Sequence, residues 1–297
     1  MNNPPPPPHM VTRFAPSPTG RLHVGHGWSA LMAMDMARAA GGELRLRIED
    51  IDGTRSRPDH GEGIIEDLRW LGLEWQGEIV FQSRRLPHYA AALGRLREQG
   101  LAYPCFCTRA EIAAEIAASG SAPHGGEGPV YPGTCRAADP AASAARLARG
   151  EAHCWRLDMA RASARAGPLH WRDMDSGPVA AHPERAGDVV MARKDAPTSY
   201  HLAATLDDAA MGVTHVLRGE DLRGATDIHR LLQALLDLPA PCYRHHPLLL
   251  DARGRRLAKR TQGLTLAELR AAGMDPARLR EDLRAGRFPV GIHPGTA

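Results

Sequence analysis

The sequence predicts an α/β protein built on a parallel sheet, and three observations predict it. Strand character at Val11 to Ala15 and at Leu44 to Ile48 brackets a helix-patterned stretch from Gly25 to Ala40. Helical patterns follow the second strand, and strand and helix patterns again take turns after Asp188. Strands that alternate with helices run parallel, because each crossover helix packs back on the sheet. Sites in such sheets lie beyond the carboxyl ends of the strands.

Each element has its own signal. Val11 to Ala15 is a short apolar run that ends at prolines 16 and 18. Trp28, Leu31, Met32 and Met36 recur at helical spacing, and Gly41-Gly42 stops that helix. Leu44, Leu46 and Ile48 alternate with Arg45, Arg47 and Glu49, the period of a strand. Asp52-Gly53 turns the chain. Ile64, Ile65, Leu68 and Leu71 mark a second helix, and Leu86 to Gln99 a third. From Cys105 to Gly187 glycine, proline, alanine and arginine dominate and periodicity weakens, which reads as an insertion with a mobile loop from Gly120 to Gly128. Alternation then resumes: Val189 to Met191 as strand, Tyr200 to Met211 as helix, Val213 to Leu217 as strand, Ile228 to Leu238 as helix. Leu264–Ala272 and Pro276–Ala285 read as helices, with Pro289 to Ala297 fraying. No internal repeat is visible.

Composition bounds the function. Hydrophobic content of 43% and charged content of 24% are globular values. A net charge of +3 neither establishes nor opposes a nucleic-acid partner. No apolar run approaches the length of a membrane span, and residues 1–10 have no apolar signal core. A cytoplasmic monomer is expected. Five cysteines in 297 residues argue for a reducing compartment rather than a disulfide framework. Residues 1–10, with five successive prolines, read as a disordered tail.

Two segments carry the chemistry. The run from Arg13 to His26, RFAPSPTGRLHVGH, places a strand, a Pro/Gly turn and a helix start within fourteen residues. It offers a polyphosphate two imidazoles, backbone N–H groups and a helix N-terminus. His23-Val-Gly-His26 alone is a weak signal, since two polar residues capping a helix explain it as well; a metal is disfavoured because no cysteine or carboxylate cluster lies nearby. Gly25 lets a planar base approach the backbone. The second segment is LAKRT, Leu257 to Thr261. Among 37 basic residues only Lys194 and Lys259 are lysine. A compact, flexible ammonium at 259 can follow charge onto a departing pyrophosphate, against the plainer reading of one more solvated cation.

The run at 13–26 resembles the "HIGH" signature of class I aminoacyl-tRNA synthetases, in the form written by the glutamyl/glutaminyl branch. The resemblance continues through Leu46 to Asp52, Asp207-Asp208 and Val216 to Asp221, and spans roughly residues 11 to 262. LAKRT resembles the family's "KMSKS" signature with Lys259 on the second lysine, while Arg256 and Ala258 replace the first lysine and the serine. The resemblance implies a Rossmann-like catalytic domain that activates glutamate with ATP and Mg²⁺. It implies that His23, Gly25, His26 and Lys259 bind ATP, and that His23, His26 and Lys259 act in catalysis. It places Arg13, Phe14, Ala15, Pro16, Ser17, Glu49, Tyr200 and Arg218 around the glutamate: Arg13 and Ser17 near the α-carboxylate, Glu49 at the ammonium, Arg218 at the side-chain carboxylate. Without the resemblance, Glu49 reads equally as a strand-end cap, Tyr200 as a core-edge residue and Arg218 as a partner of Glu220 or Asp221.

Cys105-Phe-Cys107 and Cys135 supply three thiolates that hold Zn²⁺ if a fourth donor joins them. Two buried thiols and an unrelated third is the competing reading. A short branch of the same family resembles this pattern, C-x-C then Y-x-x-x-C, and implies one structural Zn²⁺ on Cys105, Cys107, Tyr131 and Cys135. Cys154 and Cys242 have no partner at ligand spacing and read as core. Only 38 residues follow Lys259, too few for the family's anticodon-binding domain. The expected organisation is therefore a tail (1–10), a first catalytic half (11–104), an inserted zinc- and RNA-contacting subdomain (105–187), a second catalytic half (188–250) and a loop with C-terminal helices (251–297). The short branch transfers glutamate to the queuosine base at the wobble position of tRNA(Asp), so the tRNA(Asp) anticodon loop is the implied partner. A glutamyl-tRNA synthetase charging a 3′ end, and a catalytically idle RNA- or nucleotide-binding relative, are the alternatives.

Overall fold

The computed structural model describes residues 9–51, 58–118, 124–125, 128–255, 257, 264–289 and 291–295. The Asp52-Gly53 turn, the first eight residues of the tail, most of the 120–128 loop, and Lys259 with Arg256 and Ala258 lie outside the described residues. The chain forms two compact units: 1–83 with 211–222 and 241–297, and 84–210 with 223–240.

The first unit begins with β1 (Val11–Phe14), α1 (Val24–Ala39), β2 (Glu43–Ile48), α2 (Pro58–Trp70) and β3 (Val80–Phe81). β1, β2 and β3 pair in parallel, with Val11 opposite Glu43 and Arg47 opposite Val80. Leu44, Leu46 and Ile48 are buried with Leu31 and Met34 of α1 and Ile64 and Leu68 of α2 in one apolar cluster. Arg47 departs from its expected polar face. It is 0% exposed, while Arg45 on the same face stays part-exposed. The Arg47 guanidinium pairs with Glu49 at 3.0 Å and lies 3.7 Å from the Met211 sulfur.

The second unit holds α3 (Leu86–Glu98), β4 (Ala102–Cys105), α4 (Arg109–Ala118), β5 (His124–Gly125), β6 (Gly128–Pro129), α5 (Pro140–Ala148), β7 (Cys154–Leu157), α6 (Met159–Ala166), β8 (His170–Asp173), β9 (Gly177–Ala180), β10 (Val190–Ala192), α7 (Tyr200–Ala210) and α8 (Arg223–Leu235). β7 lies between β10 and β4, antiparallel to both. β8 and β9 form a hairpin, as do β5 and β6. Asp207, fully buried on α7, accepts from Arg85 at 2.7 Å and Tyr89 at 2.8 Å, which ties α7 to α3.

The chain returns to the first unit with β11 (His215–Gly219), β12 (Cys242–His246), β13 (Leu249–Leu250), α9 (Leu266–Ala271), α10 (Pro276–Arg284) and β14 (His293–Pro294). β11 and β12 are parallel. β1 runs beside them: the Thr214 N–H donates to Val11 O at 2.9 Å, and the Val11 N–H to Thr214 Oγ1 at 2.9 Å. The strand succession in this unit is β3-β2-β1-β11-β12. It grows one way from β1 and the other way from β11, the Rossmann-like arrangement whose reversal point is a binding crevice. The C-terminal stretch expected to fray instead pairs: β14 is antiparallel to β13, and Gly295 N donates to Leu248 O at 2.7 Å. Two residues are too few for a periodic signal, so only the partner strand reveals it.

Candidate active site and metal centre

The prolines that end β1 release the chain into the turn that starts α1. His23 is the N-cap of that helix, with its Nδ1 accepting from Gly25 N at 3.1 Å. His26 reaches back, its Nδ1 accepting from His23 N at 3.2 Å. The pair forms a reciprocal capping box made of imidazoles. The ring centroids are 3.7 Å apart. A neutral ring that accepts at Nδ1 carries its proton at Nε2, so the caps select the tautomer in which Nε2–H is a donor. The first turn of α1 holds no acidic residue. A helix N-terminus with two ring donors and no carboxylate suits an anion. The capping and phosphate-binding readings of His23 and His26 are thus compatible, because each imidazole uses one nitrogen for the cap.

The two histidines line a cavity of ≈ 240 Å³ in the first unit. Gly25, Ser29, Asp221 and His246 join them, with Leu249 and Leu257 on its apolar wall. The cavity lies where β1 and β11 end, at the reversal point of the sheet. A Cβ on Gly25 would meet His23 Cε1 at 3.0 Å and Leu249 Cδ1 at 3.6 Å. The glycine therefore makes room for the His23 ring as well as opening the backbone to the cavity.

The described residues at either end of the second signature stretch lie against the same turn and its cavity. Leu257 lines the cavity. Leu264 O accepts from Val24 N at 3.2 Å, Thr265 bridges His23 in antiparallel fashion, and Leu266 N donates to Leu22 O at 2.8 Å.

The residues expected around glutamate gather mostly in this unit. Arg13 on β1 and Arg218 on β11 are 6% and 4% exposed, on neighbouring strands. Arg13 Nη1 donates to Leu217 O at 3.1 Å, and Arg218 Nε lies 3.5 Å from His245 Nε2. Phe14 is core, while Ala15, Pro16 and Ser17 continue the turn. Glu49 N donates to Pro16 O at 3.0 Å, which brings the end of β2 to that turn. Two buried guanidiniums and a carboxylate at adjacent strand ends match the charges of an amino dicarboxylic acid. Tyr200 belongs to the second unit, at the start of α7, with its ring 5.4 Å from that of His229.

The second unit contains the cysteine centre. The sulfurs of Cys105, Cys107 and Cys135 all lie within 4.8 Å of one another. Tyr131 Oη is 3.4 Å from Cys105 Sγ and 3.5 Å from Cys107 Sγ, and it accepts from Cys135 N at 2.9 Å. Tetrahedral ligands about 2.3 Å from an ion sit roughly 3.8 Å apart, so these four donors fit a single soft cation. The Cys105 thiol is drawn down to about 4 by a hydrogen bond from Cys154, then by others from Tyr131 and Arg156 that oppose its burial. Burial pushes the Cys107 thiol up to about 11. Cys154 has a partner after all: register on β4 and β7 supplies what sequence spacing lacked.

His246 and Ser29 are cavity residues that the sequence reading missed. His246 Nε2 and Ser29 Oγ are 2.9 Å apart. Their signal was the run Cys242 to His246, a strand that enters an apolar Pro247 to Leu250 stretch.

A family model described as tRNA synthetases class I (E and Q), catalytic domain, matches residues 9–290. The chain is 48% identical over 279 residues to a glutamyl-Q tRNA(Asp) synthetase of Rhodobacter capsulatus, covering 91% of this chain and 98% of that one. It is 47% identical over 277 residues to the protein of that name from Symbiobacterium thermophilum, covering 90% and 83%. Among solved structures, a glutamate-tRNA synthetase from Elizabethkingia anophelis matches with a TM-score of 0.78 at 27% identity, covering 95% of this chain. A glutamate tRNA ligase from Elizabethkingia meningosepticum, in complex with its amino acid, matches with a TM-score of 0.75 at 26% identity, covering 97% of this chain. The chain spans 62% and 66% of the lengths of those two.

Proposed function

The chain belongs to the class I tRNA synthetases of the glutamate and glutamine branch, and from that premise we propose that it activates glutamate with ATP and transfers it to the queuosine base of tRNA(Asp). It is a ligase. One observation carries the reading of its site: Leu257 on one side of the KMSKS-like segment, and Leu264 and Thr265 on the other, sit against the cavity and turn of His23 and His26.

In the first step an oxygen of the glutamate α-carboxylate attacks the α-phosphorus of ATP. The bond to the bridging oxygen breaks and pyrophosphate leaves; Mg²⁺ bound with ATP would offset its charge. His23 and His26 donate from Nε2 to the phosphates at the N-terminus of α1. Lys259 neutralises the departing pyrophosphate. Arg218 holds the side-chain carboxylate, Arg13 and Ser17 the α-carboxylate, and Glu49 the ammonium. These groups act by position and charge. In the second step a hydroxyl of the queuosine cyclopentenediol attacks the acyl carbon of glutamyl-adenylate, loses its proton, and AMP leaves. The tRNA(Asp) anticodon loop supplies that hydroxyl, and the arginine-rich 105–187 subdomain meets it. Cys105, Cys107, Tyr131 and Cys135 would hold one Zn²⁺, which would crosslink that subdomain.

The test uses labelled glutamate, ATP and purified tRNAs with and without queuosine. Labelling of queuosine-bearing tRNA(Asp) that survives periodate blocking of the 3′ end is expected. Labelling confined to an intact 3′ end, or of tRNA(Glu), overturns the reading.

A further inference from the structure

Pairing of β4 with β7 sets Cys105 directly opposite Cys154. Opposed residues of an antiparallel pair share a face and hold their Cβ atoms close. Both side chains are buried, at 0% and 8% exposure, in one small cluster with Tyr131. Cys154 is the leading influence that holds the Cys105 thiol below its ordinary value. The period of a strand brings Arg156, two residues on, back to that face. Its guanidinium lies 3.8 Å over the Tyr131 ring, donates from Nη1 to Asp188 O at 2.7 Å, and helps hold the Cys105 thiol below its ordinary value. Its Nε is buried with no partner among the described residues. Cys154 stands outside the group of three mutually close sulfurs.

We propose that Cys154 and Arg156 are positioning residues of the metal centre, which from β7 hold the Cys105 sulfur by S–H and N–H donation without binding the ion themselves. The proposal rests on the metal reading given above. Three thiolates around a divalent cation leave one net negative charge in a buried place. Such a charge needs a nearby cation and donors on its lone pairs. Arg156 supplies the cation. Cys154, opposite Cys105 on β7, supplies a donor. Outer partners of this kind orient ligands and tune their basicity, and their loss typically weakens metal binding roughly 10–100-fold. Donors on a ligating sulfur also withdraw electron density, which moves thiolate-to-metal charge transfer to higher energy.

The experiment loads the full chain with Zn²⁺ and, separately, with Co²⁺. Zinc affinity is read by competition with a chromophoric chelator, and the cobalt site by its thiolate charge-transfer bands. Cys154→Val removes the donor at similar volume, and Cys154→Ser keeps one. The expected result is one ion per chain throughout. Cys154→Val should bind zinc about 10-fold more weakly, with the cobalt band at longer wavelength and unchanged intensity. Cys154→Ser should restore both. Arg156→Gln, measured with Cys154 in place, should shift the band the same way, so the proposal stays testable if Cys154→Val does not fold. Wild-type affinity and band position in Cys154→Val, or in Arg156→Gln, overturn the inference while leaving the metal centre. Loss of band intensity by one thiolate in Cys154→Val makes Cys154 a ligand and also overturns it. Failure of the wild-type chain to bind either ion removes the metal reading and this inference together.

Discussion

His23 and Thr265 face each other in an isolated antiparallel bridge, and each is the N-cap of a helix. His23 caps α1 and Thr265 caps α9, each through a reciprocal capping box. The two halves of the proposed nucleotide site are therefore joined through backbone, at the positions where both helices start. Of the described residues that flank the stretch carrying Lys259, Leu257 lines the cavity and Leu264 O accepts from Val24 N at 3.2 Å.

Removing the Thr265 cap tests the joint. Its Oγ1 accepts from Glu268 N at 3.1 Å, and Glu268 Oε2 accepts from Thr265 N at 2.8 Å. Thr265→Ala should lower unfolding stability by about 1 kcal/mol, the usual worth of such a cap, and Thr265→Ser should lose much less. Urea denaturation measures both. Equal stability of all three proteins would show that the bridge does not depend on the cap.

Gly25→Ala separates local geometry from folding. The added methyl would sit 3.0 Å from the His23 ring, which must turn away. Glutamate-dependent ATP–pyrophosphate exchange should fall roughly 100-fold, as displacement of a positioned group allows. The melting temperature should fall by only a few degrees, because the displaced ring gives up a single helix-cap bond. Full exchange activity in a folded Gly25→Ala protein would mean that the His23 ring position is unimportant.

Much of this was legible in the sequence because it is local. The run from Arg13 to His26 contains its own strand end, turn and helix cap, and each has a short-range signal. The alternation of Leu44, Leu46 and Ile48 likewise announced a strand. Pairings between distant segments were not legible. Nothing near Cys154 reports Cys105, since only the antiparallel register of β4 and β7 brings them together. Burial of Arg47 was hidden because alternation assumes one wet face, whereas that face is wet at Arg45 and fully buried at Arg47. The strand at His293–Pro294 exists only through its partner Leu249–Leu250. In the site, the two histidines and the buried arginines were visible as motif residues. His246 was missed because its strand carries no unbroken apolar pattern.

His246 sets a pH dependence. Burial holds its pKa below the ordinary imidazole value of 6.5, against smaller opposing contributions from Pro247 O and Asp221. The native state thus keeps this ring neutral where the unfolded chain takes up a proton. The stabilisation is complete above pH 6.5, declines as pH falls toward the folded-state pKa, and levels off below it. His246→Asn should flatten that part of the stability profile. Denaturant titrations at successive pH values measure the slope, and an unchanged slope in the variant would assign it to other groups.

Lys259 provides the strictest test of the reaction. The chain uses arginine for nearly all of its 37 basic positions, so a lysine here is a choice between cations. A guanidinium is planar and binds in a fixed fork, whereas an ammonium is a compact charge on a flexible stem. Charge moves during pyrophosphate departure, and a group that follows it stabilises the transition state more than the ground state. Lys259→Ala should therefore lower exchange by about 100-fold or more, mainly in kcat, with a smaller rise in KM for ATP. Lys259→Arg keeps the charge and should recover ATP binding better than turnover. Exchange near the wild-type rate in Lys259→Ala would remove this residue from the mechanism. Equal turnover in Lys259→Arg and the wild type would show that charge alone, not its mobility, is what the step requires.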